Sequence, residues 1–99
     1  MYFNQGEYNK ALEYYSKCLE IYKSVLGDNH PETAISYNNI GFIYGEQGEY
    51  KKALEYYLKS LEINKSVYGD NHPKITYGKA QLQKISDLIT NSVSQEVSH

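Results

Sequence analysis

From Tyr50 onward the apolar residues Ala53, Leu54, Tyr57, Leu58, Leu61 and then Ile63 or Asn64 return at spacings of three and four. That spacing lines one face of a helix, because 3.6 residues complete a turn. Lys51, Lys52, Glu55, Lys59, Glu62 and Lys65 fall on the opposite face, so the pattern predicts an amphipathic helix from Glu49 to Val67. Glu7 to Val25 carries the same pattern and predicts the same element. A shorter stripe of Ala34, Tyr37, Ile40, Gly41, Ile43 and Tyr44 predicts another helix, which Gln47-Gly48 interrupts. Gly48 can take the positive φ that ends a helix and turns the chain. The segment Gly69-Asp70-Asn71-His72-Pro73 closes the second long helix and opens a last one, expected from Pro73 to Ile89. Its proline stands at the first helical position, where the missing N–H costs nothing.

These patterns are two copies of one unit. Shifting the chain by 42 lays Tyr2 to Pro31 over Tyr44 to Pro73, and the pairs differ only at residues 3, 4, 9, 16, 18, 22 and 26, leaving 23 of 30 identical. The match stops soon after Pro73, where Lys74-Ile75-Thr76 stands against Glu32-Thr33-Ala34 with no identity. A repeat of this length is one supersecondary unit, helix, tight turn, helix and loop, that buries its apolar face by stacking on its neighbours.

Within the unit, Tyr37-x2-Ile40-Gly41-x2-Tyr44, followed by Gly48, Tyr50, Ala53-x3-Tyr57 and Ser60, resembles the tetratricopeptide repeat. Tyr37 stands where Trp is commonest in that family, and Ser60 where Ala is. The other copy repeats Tyr2, Gly6, Tyr8, Ala11, Tyr15 and Cys18 in order, so the resemblance runs over residues 1–90. The family's usual period is about 34; the longer period here, with its Gly-Asp-x-His-Pro loop, is similar to the variant in kinesin light chains and many scaffold proteins. The resemblance implies an all-α solenoid of antiparallel helix pairs, here four helices and an N-terminal stub. Residues 1–33 are then a partial first repeat, 34–72 a complete one, 73–90 a terminal helix, and 91–99 a disordered polar tail. It also implies close helix contacts at the small residues Gly41 and Ala53, with Tyr44, Tyr50 and Tyr57 filling the layers between units.

The family's use of its concave side places groove positions at Ile35, Asn38, Asn39, Phe42, Gly45 and Glu46, and at Tyr77, Ala80, Gln81, Lys84, Asp87 and Leu88. Phe3 and Asn4 hold the matching places in the stub. Asn suits such a site because its amide both donates to and accepts from a peptide backbone. Partner binding is therefore expected at Asn38, Asn39, Phe42, Glu46, Tyr77 and Lys84. Asn39 occupies the place of an Asn in relatives that clamp a terminal carboxylate, but Lys84 is the sole cation nearby, which argues against a clamp and leaves a structural amide as the other reading. The implied partner is a protein or peptide. Counting helices leaves the first unit without most of its first helix, and Phe3, Tyr8, Leu12, Tyr15 and Leu19 are expected to lie partly bare there, as a surface for self-association or for a neighbour in a longer array. At the other end Lys79, Gln83 and Ser86 replace the Tyr, Gly and Tyr of the motif, as a solvated cap requires.

Composition narrows the remaining classes. Leu, Ile, Val and Phe make up 22 of 99 residues, a fraction that still supports folding. Twelve Tyr against two Phe and no Trp point to thin layers in which each hydroxyl reaches the edge. The net charge is −2 and the chain has no Arg, so the concentrated positive surface and bidentate donors that nucleic acid requires are missing. No apolar run is long enough for a membrane span, and the basic start of a signal peptide is lacking, so a cytoplasmic location is expected.

Cys18 stands alone in the sequence and is read as a small packing residue. Each Asp-Asn-His loop supplies one His and one Asp, a full repeat from the other pair. A turn and helix cap accounts for these residues without a metal, and no metal or cofactor is expected. No nucleophile with a converging base and no phosphate loop is present, so the chain is read as non-catalytic.

Overall fold

One glycine turn and two loops that end in His-Pro divide the described residues into four helices. The structure, a computed structural model, describes residues 5–97, with side chains to residue 91. Helix α1 spans Gln5–Leu26, α2 Pro31–Glu46, α3 Tyr50–Tyr68 and α4 Pro73–Val97. No strand occurs among the described residues. The predicted stub, Met1 to Asn4, lies outside them.

The boundaries follow from local chemistry. Before α2, His30 is extended (φ −109°, ψ 144°), and its Nδ1 accepts the Glu32 N–H at 3.1 Å. His72 repeats this before α4, accepting the Lys74 N–H at 3.1 Å. Each ring thus satisfies one of the amides left free in the first turn, and Pro31 and Pro73 supply the next residue without an N–H. Gly69 ends α3 at φ 85°, ψ 164°, a region open only to glycine, and its N–H returns to the Lys65 carbonyl at 3.0 Å. Between α2 and α3 the chain reverses at Gly48 (φ 82°), and the Glu49 N–H reaches the Tyr44 carbonyl at 2.9 Å.

One boundary differs from the pattern. The segment 91–99 reads as a disordered polar tail after a helix ending at Ile89, yet the helix continues to Val97. Neither Gly nor Pro interrupts the chain from Lys79 to Val97, and the Thr90 hydroxyl donates to the Ser86 carbonyl at 3.1 Å within the helix. Residues 98–99 lie outside the described residues.

The helices pack in chain order, α1 on α2, α2 on α3 and α3 on α4, with α2 and α3 the most extensively packed pair. The assembly measures 49 × 35 × 21 Å, so its thin dimension is two helix diameters. That is the layered form a tyrosine-rich interior favours. Ala34, Ile40 and Ile43 of α2, Ala53, Tyr57, Leu61 and Ile63 of α3, and Ile75 and Ile85 of α4 form the buried core. Full burial of a side chain such as Ile40 or Ile75 contributes about 1.5–3 kcal/mol. Thr33 and Ser36 are buried too, each with its hydroxyl on a carbonyl, Gly27 at 2.8 Å and Glu32 at 3.2 Å. Leu58, which the stripe places in the core, is 43% exposed instead. Tyr56 lies between α2 and α3, stacked 5.5 Å from the Tyr44 ring and tilted 6.1 Å from that of Tyr37.

The small residues of the motif stand where the helices meet most closely. A Cβ built on Gly41 would lie 3.2 Å from the Ala53 carbonyl oxygen and 3.1 Å from the Tyr57 ring. α1 differs from its copy α3 in having no buried residue. α4 presents Lys79, Gln83 and Ser86 to solvent, the polar end expected of it.

Candidate functional site

Because α1 and α3 alternate with α2 and α4, α2 and α4 flank a shared groove whose floor is α3. Phe42, Gly45 and Glu46 come from α2, Tyr77, Ala80, Gln81, Lys84, Ile85 and Leu88 from α4, and Tyr50 and Tyr57 from α3. The cavity holds about 510 Å³. A second one of about 160 Å³ adjoins it through Tyr57, Tyr77 and Gln81, and adds Ile35, Asn38, Ser60, Leu61, Asn64, Lys74 and Gly78. Together they form one trough.

Helix periodicity explains the wall. Ile35, Asn38, Phe42, Gly45 and Glu46 lie on one face of α2, while the buried Ala34, Ile40, Gly41 and Ile43 lie on the others. The core side is committed to α3, so the aromatic at Phe42 is left 46% exposed. Tyr77 opposes it from α4 at 64% exposure. Exposed rings on both walls, with the acid Glu46 and the cation Lys84 among them, give an amphipathic channel.

The floor is less polar than its tyrosines imply. Burial holds the Tyr57 phenol neutral above the ordinary tyrosine range, and the neighbouring Tyr77 and Glu46 push in the same direction. Its hydroxyl therefore stays protonated at neutral pH, able to donate or accept. A Cβ on Gly45 would make ordinary contacts with Ile85 Cδ1 at 3.6 Å and the Ala53 Cβ at 3.9 Å.

Of the residues singled out from the sequence, Phe42, Glu46, Tyr77 and Lys84 line the larger cavity and Asn38 the smaller. Asn39 is half-buried and lines neither. Asp87 accepts a hydrogen bond from Gln83 Nε2 at 2.9 Å. Tyr50, Tyr57, Asn64 and Lys74 line the trough without having been marked as groove positions. Three belong to α3, and a reading confined to the first helix of each unit does not reach the floor. Lys74 brings a second cation, with its Nζ 4.8 Å from the centre of the Tyr68 ring and donating to that hydroxyl at 3.3 Å.

Tyr8, Leu12, Tyr15 and Leu19 are half-buried, and Phe3 lies outside the described residues. Their copies face α4. Tyr57 belongs to the core cluster with Ile85, against which Tyr50 and Leu54 pack, and Leu61 Cδ1 would meet a Cβ on Gly78 at 2.9 Å. By the same geometry these α1 residues face α2. The most exposed apolar residues of α1 are Val25, Tyr14 and Ile21.

A second recess of about 500 Å³ lies between α2 and α3, lined by Tyr37, Glu55, Tyr56, Leu58, Lys59 and Glu62. Three of its six residues are charged, and α4 gives it no opposing wall. Among the described residues no three His, Cys, Asp or Glu stand together as metal ligands, and no helix is long and apolar enough to cross a membrane.

No curated protein matches the sequence. The tetratricopeptide-repeat family model matches residues 1–66 and again 36–78, the two matches overlapping at residues 36–66 within the complete unit. With four antiparallel helices in chain-order packing and small residues at the closest contacts, the chain belongs to the tetratricopeptide-repeat family.

Proposed function

We propose that this chain is a non-catalytic interaction module that holds an extended or helical segment of another protein in the α2–α4 trough. The family is one of protein-interaction modules. The observation that carries the reading is the pair of exposed rings, Phe42 and Tyr77, on opposite walls above the Tyr57 floor. Apolar side chains of a ligand bury against the rings, and Asn38, Gln81, Glu46 and Lys84 meet its polar groups along the same channel. One acid, Glu46, with two cations, Lys74 and Lys84, favours a ligand of mixed charge over a strongly basic one. The 42-residue period supports the longer kinesin-light-chain-like variant of the repeat and a scaffolding role. The lone thiol fits a cytoplasmic setting.

Selection from a displayed random-peptide library supplies the test. Peptides enriched on the wild-type chain should bind Phe42→Ala and Tyr77→Ala at least about tenfold more weakly, the loss expected when a central aromatic anchor is truncated. Equal affinity for the double variant, with its helix content intact, removes the trough as the site.

A further inference from the structure

The caps of the two trough walls are copies of each other, but their surroundings are not. His30 at the start of α2 and His72 at the start of α4 each accept, through Nδ1, the N–H two residues on, at 3.1 Å. An imidazole accepts there only while it is neutral, with its proton on Nε2. A second proton has to go to Nδ1, where it turns the acceptor into a donor facing another donor. Imidazole changes charge between about pH 8 and about pH 5, so mild acid acts on both caps. The N-terminus of a helix also disfavours a cation.

α2 can meet that charge and has a second tie. Glu32 stands in its first turn and Asp28 in the loop before it, and the Thr33 hydroxyl joins turn to loop on the Gly27 carbonyl at 2.8 Å without involving the ring. In α4 the counterparts of Glu32 and Thr33 are Lys74 and Ile75, a cation and a side chain with no hydroxyl. Tyr68 of α3 stacks on the His72 ring at 4.5 Å, and Lys74 Nζ lies 4.8 Å from the centre of the same tyrosine ring, donating to its hydroxyl at 3.3 Å. Lys65 is in the last turn of α3 and Asp70 in the loop, and α2 brings the uncharged Ile35 and Asn38 to the recess that Lys74 lines. A tyrosine face attracts a cation. Lys74 already occupies this one, so an imidazolium at His72 adds a second positive charge beside it.

We propose that His72 is a pH-sensitive latch on the trough: its protonation loosens the first turn of α4, which carries Lys74 and leads into Tyr77, and weakens the hold on a bound segment. Ile75, 1% exposed, keeps the body of α4 docked, so the change is confined to that turn. The effect on binding rests on the trough reading, whereas the effect on the helix does not.

Amide hydrogen exchange of the full chain at about pH 7.5 and about pH 5, corrected for the intrinsic rate, tests the latch without a ligand. The Ile75 and Thr76 N–H groups donate to the His72 carbonyl at 2.9 and 3.4 Å, and their protection should fall about fivefold at the lower pH, the equilibrium worth of a helix cap. Ala34, which donates to the His30 carbonyl at 3.1 Å, should lose less. His72→Asn keeps an acceptor at both pH values and should abolish the response at Ile75 and Thr76, and His30→Asn should leave it as in wild type. Library-selected peptides should bind wild type more weakly at the lower pH, by up to the same factor, and His72→Asn equally at both. Exchange at Ile75 and Thr76 that ignores pH, or that responds equally in His72→Asn, overturns the latch. An exchange response with unchanged peptide affinity overturns its effect on the trough. A chain that selects no peptide defeats the trough reading instead, and exchange still decides the latch.

Discussion

Gly41 and Gly45 lie one turn apart in α2, and substituting each with Ala separates helix propensity from packing. Both replacements remove a flexible residue from a helix, which favours folding by about 0.5–1 kcal/mol. Their surroundings differ. At Gly45 the new Cβ meets Ile85 Cδ1 at 3.6 Å and the Ala53 Cβ at 3.9 Å, ordinary contacts, so Gly45→Ala should stabilise by the full propensity gain. At Gly41 it meets the Ala53 carbonyl oxygen at 3.2 Å and the Tyr57 ring at 3.1 Å. The oxygen belongs to the backbone of α3 and cannot rotate away, so α2 and α3 must part at their closest contact. Overpacking of this kind costs about 1–3 kcal/mol, which outweighs the gain. We expect Gly41→Ala to be less stable than wild type by about 1 kcal/mol, and less stable than Gly45→Ala by about 2 kcal/mol. For a domain of this size that difference separates the two melting midpoints by roughly 8–16 °C. Thermal unfolding followed by circular dichroism at 222 nm on the three proteins is sufficient, and Gly41→Leu should fall further. A Gly41→Ala chain as stable as Gly45→Ala would refute the assignment of Gly41 to a close helix contact.

The two histidine caps should be separable by substitution. His30→Ala and His72→Ala should each cost about 0.5–2 kcal/mol in chemical denaturation, and Asn in place of either should recover most of it, because Asn restores the acceptor. The loss should be larger at His72, whose ring also stacks on Tyr68 at 4.5 Å; equal Ala and Asn variants would exclude the capping role. Alkaline pH should weaken the fold. Burial raises both Tyr56 and Tyr57, so above the ordinary tyrosine pKa of about 10 the unfolded chain binds fewer protons than the folded one. The stabilisation of the neutral phenols is complete below that pH and is lost as pH rises through the folded values. Melting midpoints should therefore fall above about pH 10, less steeply in Tyr57→Phe, and a flat profile would contradict the burial of these rings.

The fold was legible because it is written twice. Twenty-three identities in thirty pairs fix the unit, and the Tyr-x2-Ile-Gly-x2-Tyr spacing fixes how its helices meet. What escaped the pattern was tertiary. Thr33 is as deeply buried as Ile75, its counterpart in the next unit, because its hydroxyl finds the Gly27 carbonyl; polarity alone gives no hint of that. Leu58 falls on the apolar stripe yet is exposed, whereas Tyr56 fills the α2–α3 layer, since the buried arc of α3 is set by where α2 lies as well as by periodicity. The resemblance to the family places the trough walls on α2 and α4. It does not reach the floor, because Tyr50, Tyr57 and Asn64 come from α3 and enter only through helix packing. On α1 Tyr8, Leu12, Tyr15 and Leu19, expected to be partly bare, are half-buried, and the most exposed apolar residues, Tyr14, Ile21 and Val25, lie on another stripe of the same helix.

A bound partner segment should lie along the trough between α2 and α4. Backbone amide chemical-shift mapping with a library-selected peptide tests it directly. Perturbations are expected to be confined to Ile35, Asn38, Phe42 and Glu46 on one wall, Tyr77, Gln81 and Lys84 on the other, and Tyr57 beneath. Perturbations clustered instead on Glu55, Lys59 and Glu62, or along the open stripe of α1, would contradict it.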